Sequence, residues 1–287
     1  MKKTIAINLS DWLTAARSNL AKTAENPLLE AQLLLSNVLE KSRIWLISHA
    51  ETYLTSDQLD QLDQLIQARL NGEPLPYLLG EWPFYGLDFY VTPDVLIPRP
   101  ETELLVEQAL KWLENNPDRR KAVDIGTGSG CIAISLAFNI PDLKIRGVDN
   151  SSAALIVAKR NLQRHHLENQ MVLKKSNLLE SIDESYDLIC ANLPYIPSTK
   201  LIGLDVSRHE PLQALDGGED GLHLIRQLLH QIPAHINPGG LILLEIEAGQ
   251  GESALKLAAS LFPNFKIKIL SDLAGLPRVL RIESVLN

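Results

Sequence analysis

The spacing of apolar positions changes character twice along the chain. Over residues 1–80 it is helical. Trp12, Leu13, Ala16 and Leu20 recur at the three- and four-residue intervals that share one helix face, with Ser10 placed to cap them. Pro27 suits the first turn of a second helix carrying Leu28, Ala31, Leu34, Leu35 and Val38. Ser56 opens a polar third helix in which Leu59, Leu62, Ile66 and Leu70 form a stripe that Gly72 stops. Stripes of this kind bury against neighbouring helices. The pattern then shortens. Trp82 to Val91 sets aromatics around Gly86, and Leu87, Phe89 and Val91 alternate as in a strand. Pro93, Pro98 and Pro100 follow, making a stiff connector that no helix can run through.

From residue 102 onward short apolar runs alternate with amphipathic ones. Strands are expected at Ala122–Ile125, Lys144–Asp149, Met171–Lys174, Asp187–Ala191, Leu241–Ile246, Phe265–Leu270 and Val279–Glu283. Helices are expected around 103–114, 129–138, 152–165, 220–235 and 250–261. That alternation predicts an α/β domain with a mostly parallel sheet covered on both faces. The expected division is a helical domain at 1–80, a hairpin and proline-rich connector at 81–101 and the α/β domain at 102–287.

Composition narrows the function classes. An apolar fraction of 45% supports a substantial core, and a charged fraction of 22% argues against a disordered tract. The net charge of -8 opposes broad electrostatic capture of nucleic acid, so no stable nucleic-acid partner is expected. Cys131 and Cys190 are too few and too far apart for a disulfide framework or a zinc site, and read as reduced core thiols with no metal. Lys2 and Lys3 resemble the start of a signal peptide, but the apolar stretch stops at Asn8 and Asp11. No run approaches the ~18 apolar residues of a membrane span. The expectation is a soluble cytoplasmic protein.

Two loops carry candidate chemistry. Asp124-Ile-Gly126-Thr127-Gly128-Ser129-Gly130 follows the first expected strand of the α/β domain, where small residues let the backbone turn sharply and approach a ligand. The helix starting near Ser129 points its free N–H groups into that space. Asp124 is placed to balance a cationic ligand, and Asp149, ending the next strand, to accept from both hydroxyls of a ribose. A nicotinamide dinucleotide also uses such an acid, but its fingerprint carries a third glycine where Cys131 stands here. A carrier without pyrophosphate fits better, and S-adenosylmethionine is one. Asn177 lies where an adenine-edge contact is expected, with Leu178 beside it to pack on the ring.

The second loop, Asn192-Leu193-Pro194-Tyr195, ends another strand. Open parallel sheets bind ligands at that edge. An amide or exocyclic amine is a poor nucleophile, so its plane must be fixed and its nitrogen held ~3–3.5 Å from the methyl carbon. The Asn192 side-chain oxygen and the Leu193 carbonyl can each accept one acceptor N–H, stabilising positive charge as it develops. Pro194 stiffens the loop and Tyr195 offers a wall for a flat group. No general base is needed, because the product nitrogen can lose its proton to water afterwards. His209 therefore reads as a loop histidine, Glu210 and Arg208 as shaping the loop over the acceptor, and Arg99 and Glu101 as ordering the connector over the cofactor. Arg119, Arg120 and Lys121 read as solvated linker.

Taken together, these segments resemble the HemK-type release-factor glutamine methyltransferases over nearly the whole chain. The resemblance runs through Gly72-Glu-Pro-Leu-Pro-Tyr77, Leu96-Ile-Pro-Arg-Pro-Glu-Thr-Glu103, Val123 to Gly130, Asp187 to Ile196, Glu210-Pro211, Ala214 to Leu222, Leu243-Leu-Glu-Ile246 and Asp272-Leu-Ala-Gly275 before Arg278. Arg99-Pro100-Glu101-Thr102 is its most family-specific part. The resemblance implies a seven-stranded Rossmann-like S-adenosylmethionine-dependent methyltransferase domain, preceded by a small all-helical domain and a β-hairpin connector. It also implies methylation of the glutamine amide in the Gly-Gly-Gln tip of class 1 release factors. Two positions depart from the family pattern: Leu193 stands where the first proline of Asn-Pro-Pro-Tyr is usual, and Asn177 where an acid is common. Three alternatives stay open. They are glutamine methylation on a ribosomal protein, adenine amino-group methylation on RNA or DNA, and a non-catalytic S-adenosylmethionine-binding module.

Overall fold

The computed structural model describes residues 6–284, so the Lys2–Lys3 pair lies outside the described residues. The chain forms two units, the first ending at Glu81 and the second beginning at Trp82. The first is helical: α1 (Leu9–Leu20), α2 (Pro27–Leu39), α3 (Arg43–Ser48), α4 (Ser56–Leu70) and α5 (Leu75–Leu79). Asn8, rather than the expected Ser10, caps α1. Its backbone is extended and its side chain accepts from the Asp11 N–H at 2.8 Å, whereas Ser10 already lies inside the first turn. Pro27 does open α2, behind an Asn26 cap, and Thr55 with Gln58 forms a capping box on α4. Leu9, Trp12, Leu20, Leu34, Leu35, Leu62 and Ile66 are buried where α1, α2 and α4 meet.

In the second unit β1 (Glu81–Phe84) and β2 (Leu87–Tyr90) form a hairpin. Its two-residue loop puts both Tyr85 (φ 49°) and Gly86 (φ 75°) in the left-handed region, the turn that matches strand twist. A short 3-10 turn, Pro100–Thr102, leads into α6 (Glu103–Asn115). Strands and helices then alternate as β3 (Lys121–Ile125), α7 (Cys131–Asn139), β4 (Lys144–Asp149), α8 (Ser152–Arg164), β5 (Met171–Lys175) and β6 (Tyr186–Ala191). Two single-turn helices, α9 (Ser198–Leu201) and α10 (Val206–His209), precede α11 (His223–Gln231), β7 (Ile236–Glu245), α12 (Gly251–Leu261), β8 (Phe265–Ser271) and β9 (Pro277–Ser284).

The seven-stranded sheet has the order β5-β4-β3-β6-β7-β9-β8. The first five strands are parallel, and β9 runs antiparallel to both β7 and β8. Strand periodicity sorts the side chains into two cores. Ala122, Leu188, Cys190, Leu241 and Leu243 meet α6 and α7 on one face. Val123, Ile189, Ala191, Ile242 and Leu244 meet α11 and α12 on the other. All seven expected strands are present; β7 starts earlier than expected, because Ile236 pairs with Tyr186 across a register shift.

The run Arg119-Arg120-Lys121 is not solvated linker. Arg119 pairs with Asp187, Arg120 pairs with Asp142 and caps three carbonyls, and the Lys121 N–H donates to Asp187 at the amino end of β3. Among the described residues, no helix is long and apolar enough to cross a membrane.

Candidate active site

Ile125, last in β3, is the Cα partner of Val148 on one side and Ala191 on the other. The loops leaving β3, β4 and β6 therefore emerge side by side at the carboxyl edge of the sheet. A cleft opens there, lined by residues of the Asp94–Thr102 and Pro211–Ala214 stretches. Gly126, Thr127, Gly128, Ser129, Asp149, Asn177, Leu178, Asn192, Leu193 and Pro194 all line it.

Backbone conformation builds the first wall. Gly126 (φ 71°) turns the chain so closely past the second loop that an added Cβ would sit 2.9 Å from Leu193 Cδ2. Gly128 (φ 55°) is the reverse case: an added Cβ would meet only the Gly126 carbonyl, at 3.9 Å, so this face of the loop is open. The loop is pinned from both ends. Gly126 and Thr127 N–H groups donate to the Val148 carbonyl, and the Gly128 N–H donates to Asp149 Oδ2 at 2.9 Å. Asp149 Oδ1 takes the Ser151 N–H, so each carboxylate oxygen keeps a lone pair for a ligand in the cleft. Burial raises the Asp149 pKa against the hydrogen bonds from Ser151, Gly128 and Asn150.

Asp124 sits elsewhere than expected. It is fully buried beneath the loop, off the cleft wall, and accepts from the Thr127 hydroxyl at 2.7 Å. Burial lifts its pKa to about 7, and the bond from Thr127 makes it a brace for the loop. Gly130 (φ 84°) is also off the wall: it is the N-cap of α7, packed on Ile134. Cys131, where a dinucleotide loop would have glycine, projects into the cleft, with its thiol pushed up to about 12 by burial. Leu178, beside the exposed Asn177, has φ 48°, a strained conformation for leucine, and lines the cleft. Asn177 donates to Glu180 Oε1 at 2.6 Å.

The second loop is fixed by groups far away in sequence. Asn192 Nδ2 donates to Thr102 Oγ1 at 3.0 Å, which commits the nitrogen end of this amide to the family-specific connector. The Tyr195 hydroxyl donates to Glu245 Oε1 at 3.2 Å, and Gln250 Nε2 donates to the Tyr195 carbonyl at 2.8 Å. Ile196 then bonds in both directions with the Ala214–Gly217 stretch. Tyr195 does not line the main cleft. It lines an adjoining cavity of about 230 Å³ that shares Leu96, Arg99, Asn192, Leu193 and Ala214 with it. Glu210, 5% exposed, receives Arg99 on one oxygen and the Ile97 N–H on the other at 3.1 Å. This ion pair straps the connector to the loop preceding Pro211. Arg208 instead pairs with Asp205 at the surface.

A glycine-rich turn, a carboxylate at the end of the next strand and an amide-bearing strand-end loop share one cleft of a Rossmann-like methyltransferase fold. The family model described as the methyltransferase small domain matches residues 100–203. A methyltransferase from Pyrococcus furiosus shares the fold at a TM-score of 0.52 and 17% identity, over 80% of this chain and 100% of that one. The model described as the PrmC N-terminal domain matches residues 11–80. The release factor glutamine methyltransferase of Geobacter sulfurreducens is 41% identical over 85% of this chain and 85% of its own length. That of Coxiella burnetii is 39% identical over 95% of both chains. The chain belongs to the release factor glutamine methyltransferase family.

Proposed function

We propose that this protein transfers a methyl group from S-adenosylmethionine to the side-chain amide nitrogen of the glutamine in the Gly-Gly-Gln tip of class 1 release factors. The observation that carries the reading is Asn192, whose nitrogen end is held by Thr102 beside the open face of the glycine loop. The cradle fits the cofactor: Gly126 to Ser129 would face its methionine portion, Asp149 its ribose and Leu178 its adenine. When bound, the cofactor supplies an electrophilic methyl on a sulfonium.

The chain's own residues then position the acceptor. Asn192 Oδ1 and the Leu193 carbonyl take the two amide protons, holding the amide plane with its nitrogen toward the glycine loop. Both acceptors are fixed before the acceptor arrives, so they stabilise charge growing on that nitrogen without reorganising. An amide held this way would accept the methyl that the cofactor supplies, with the sulfur as leaving group and the extra proton lost to water. Burial keeps the Tyr195 phenol protonated, its pKa raised well above the usual value, so it serves as a wall and anchor and not as a base. The helical unit would dock the release factor, and residues 81–101 would form the connector.

The test incubates the protein with labelled S-adenosylmethionine and a class 1 release factor and locates the label by peptide mass spectrometry. One methyl on the Gly-Gly-Gln glutamine, absent when that glutamine is replaced, supports the reading. No label despite measurable cofactor binding refutes it and turns the search to a ribosomal protein or RNA. Asn192→Ala should abolish transfer while sparing cofactor affinity.

A further inference from the structure

We propose that Asn161 is a positioning residue that ties two walls of the cleft together, so that a cofactor bound on the glycine loop also tightens the hairpin. The inference rests on reading that cleft as the S-adenosylmethionine site.

Asn161 belongs to the inward stripe of α8, with Ala154, Val157, Ala158 and Leu162, and is itself 0% exposed. Asparagine is a weak helix former, because its side chain bonds readily to backbone in other conformations. Its place here is explained by partners outside the helix. Oδ1 accepts the Tyr90 N–H at 2.7 Å, and Nδ2 donates to the Tyr90 carbonyl at 2.9 Å and to the Ser129 carbonyl at 2.9 Å. These partners fix which end of the amide is which, since an N–H only donates and a carbonyl only accepts. No other side chain of this length offers one acceptor and two donors in a single plane.

Both partners lead into the cleft. Ser129 lines it, and its carbonyl shares a rigid peptide plane with the Gly130 N–H, which donates to the Thr127 carbonyl at 2.7 Å. Tyr90 ends β2, and four residues later the chain reaches the cleft wall at Asp94. One buried amide therefore joins the glycine loop to the strand that delivers the connector. A ligand that holds the Ser129–Gly130 plane still firms the Asn161 bond to it, and through the same amide the two bonds to Tyr90. The coupling is reciprocal: a held hairpin favours the ligand by the same factor. Arg160 supplies a contrast. Its guanidinium stacks 3.5 Å from the centre of the Tyr90 ring and touches the hairpin from the exposed side of α8.

Hydrogen exchange on the ¹⁵N-labelled protein, with and without saturating S-adenosylmethionine, tests the tie. In the wild type the cofactor should slow exchange of the Tyr90 N–H by at least about fivefold beyond its effect on the β9 amides, which report general stabilisation. Fivefold is the low end for coupled sites. Asn161→Leu keeps the approximate shape and removes all three bonds. The extra slowing at Tyr90 should vanish in it, and cofactor affinity by calorimetry should fall by at least about fivefold. Arg160→Ala should speed Tyr90 exchange in the free protein yet keep the cofactor's slowing, with affinity within about twofold of the wild type.

A purely structural Asn161 would give faster Tyr90 exchange in Asn161→Leu with the cofactor's slowing factor unchanged. That result would overturn the proposal, as would the absence of extra slowing in the wild type or its loss in Arg160→Ala. If Asn161→Leu does not fold, the wild type and Arg160→Ala decide the matter by the same criteria. If calorimetry detects no S-adenosylmethionine binding to the wild type, the cofactor reading fails and the free protein decides the tie. Asn161→Leu should then speed exchange at both the Gly130 and Tyr90 N–H groups, and Arg160→Ala at Tyr90 alone. An unchanged Gly130 N–H in Asn161→Leu would overturn it.

Discussion

Gly126 is where the two loops of the site touch, and Gly126→Ala measures how tightly they are built against each other. Two costs arise. The backbone stands at φ 71°, where a Cβ costs about 1–2 kcal/mol. The new methyl would also lie 2.9 Å from Leu193 Cδ2, closer than real contacts permit, and overpacking of a buried site costs about 1–3 kcal/mol. The sum is about 2–5 kcal/mol, a large part of the ~5–15 kcal/mol that holds a domain together. The terms separate in a double-mutant cycle. Leu193 is 4% exposed, so Leu193→Ala alone costs about 2–5 kcal/mol. In that background the Gly126→Ala methyl meets only the Asn192 carbonyl at 3.7 Å, an ordinary contact, and the backbone cost alone remains. The expected coupling is about 1–3 kcal/mol, with the double variant more stable than additivity predicts. Hydrogen exchange of the β3 amides reports the stability of the sheet that carries both loops. A coupling under about 0.5 kcal/mol would refute the claim that the two loops are in hard contact.

Other expectations follow from single residues. Asp124 is lifted by burial from 3.8 to about 7, so the folded state holds its proton more tightly than the unfolded chain does. Ionising it in the fold costs nothing below pH 3.8 and reaches its full cost, about 4 kcal/mol, above pH 7. The stability of Asp124→Asn relative to wild type should therefore rise between pH 4 and pH 8, and a flat difference in urea melts would contradict the burial argument. Asp149→Ala removes both the Gly128 and Ser151 contacts and the ribose acceptor, so cofactor affinity should fall at least tenfold by calorimetry before release-factor affinity changes. Arg99→Ala leaves the buried Glu210 without its cation. It should destabilise the second unit by about 3–5 kcal/mol, and a loss below 1 kcal/mol would show the strap to be a surface pair.

The sheet was legible because its strands are buried on both faces. Leu188-Ile189-Cys190-Ala191 and Leu241-Ile242-Leu243-Leu244 are continuous apolar runs that divide odd and even between two cores. The glycine loop and Asn192 were legible because both are strand-end features whose residue types do local work. Helices of one or two turns, such as α3, α9 and α10, were not, since they are too short to display a period. The Asn8 cap was missed for a related reason: Asn8 and Ser10 are both good caps, and only the backbone angles choose between them. Thr102, Glu245 and Gln250 escaped because each acts on a residue remote along the chain, and Glu210, read as shaping the loop, was not linked to its distant partners Ile97 and Arg99. The signal available for Thr102 was its place in the family-specific segment. Asp124 was misplaced because a strand's last residues alternate faces, and spacing alone does not say which acid looks into the cleft.

The pairing of Ile125 with Ala191 has a consequence for how this protein fails. Adjacent strands are held about 4.8 Å apart by their ladder of hydrogen bonds, so the two loops that continue them start from a fixed gauge. Their separation does not depend on a hinge closing or on how the outer helices settle. Warming or mild denaturant that loosens the outer helices would then leave the spacing of the two loops intact. That spacing should vanish together with the central strands, in one step.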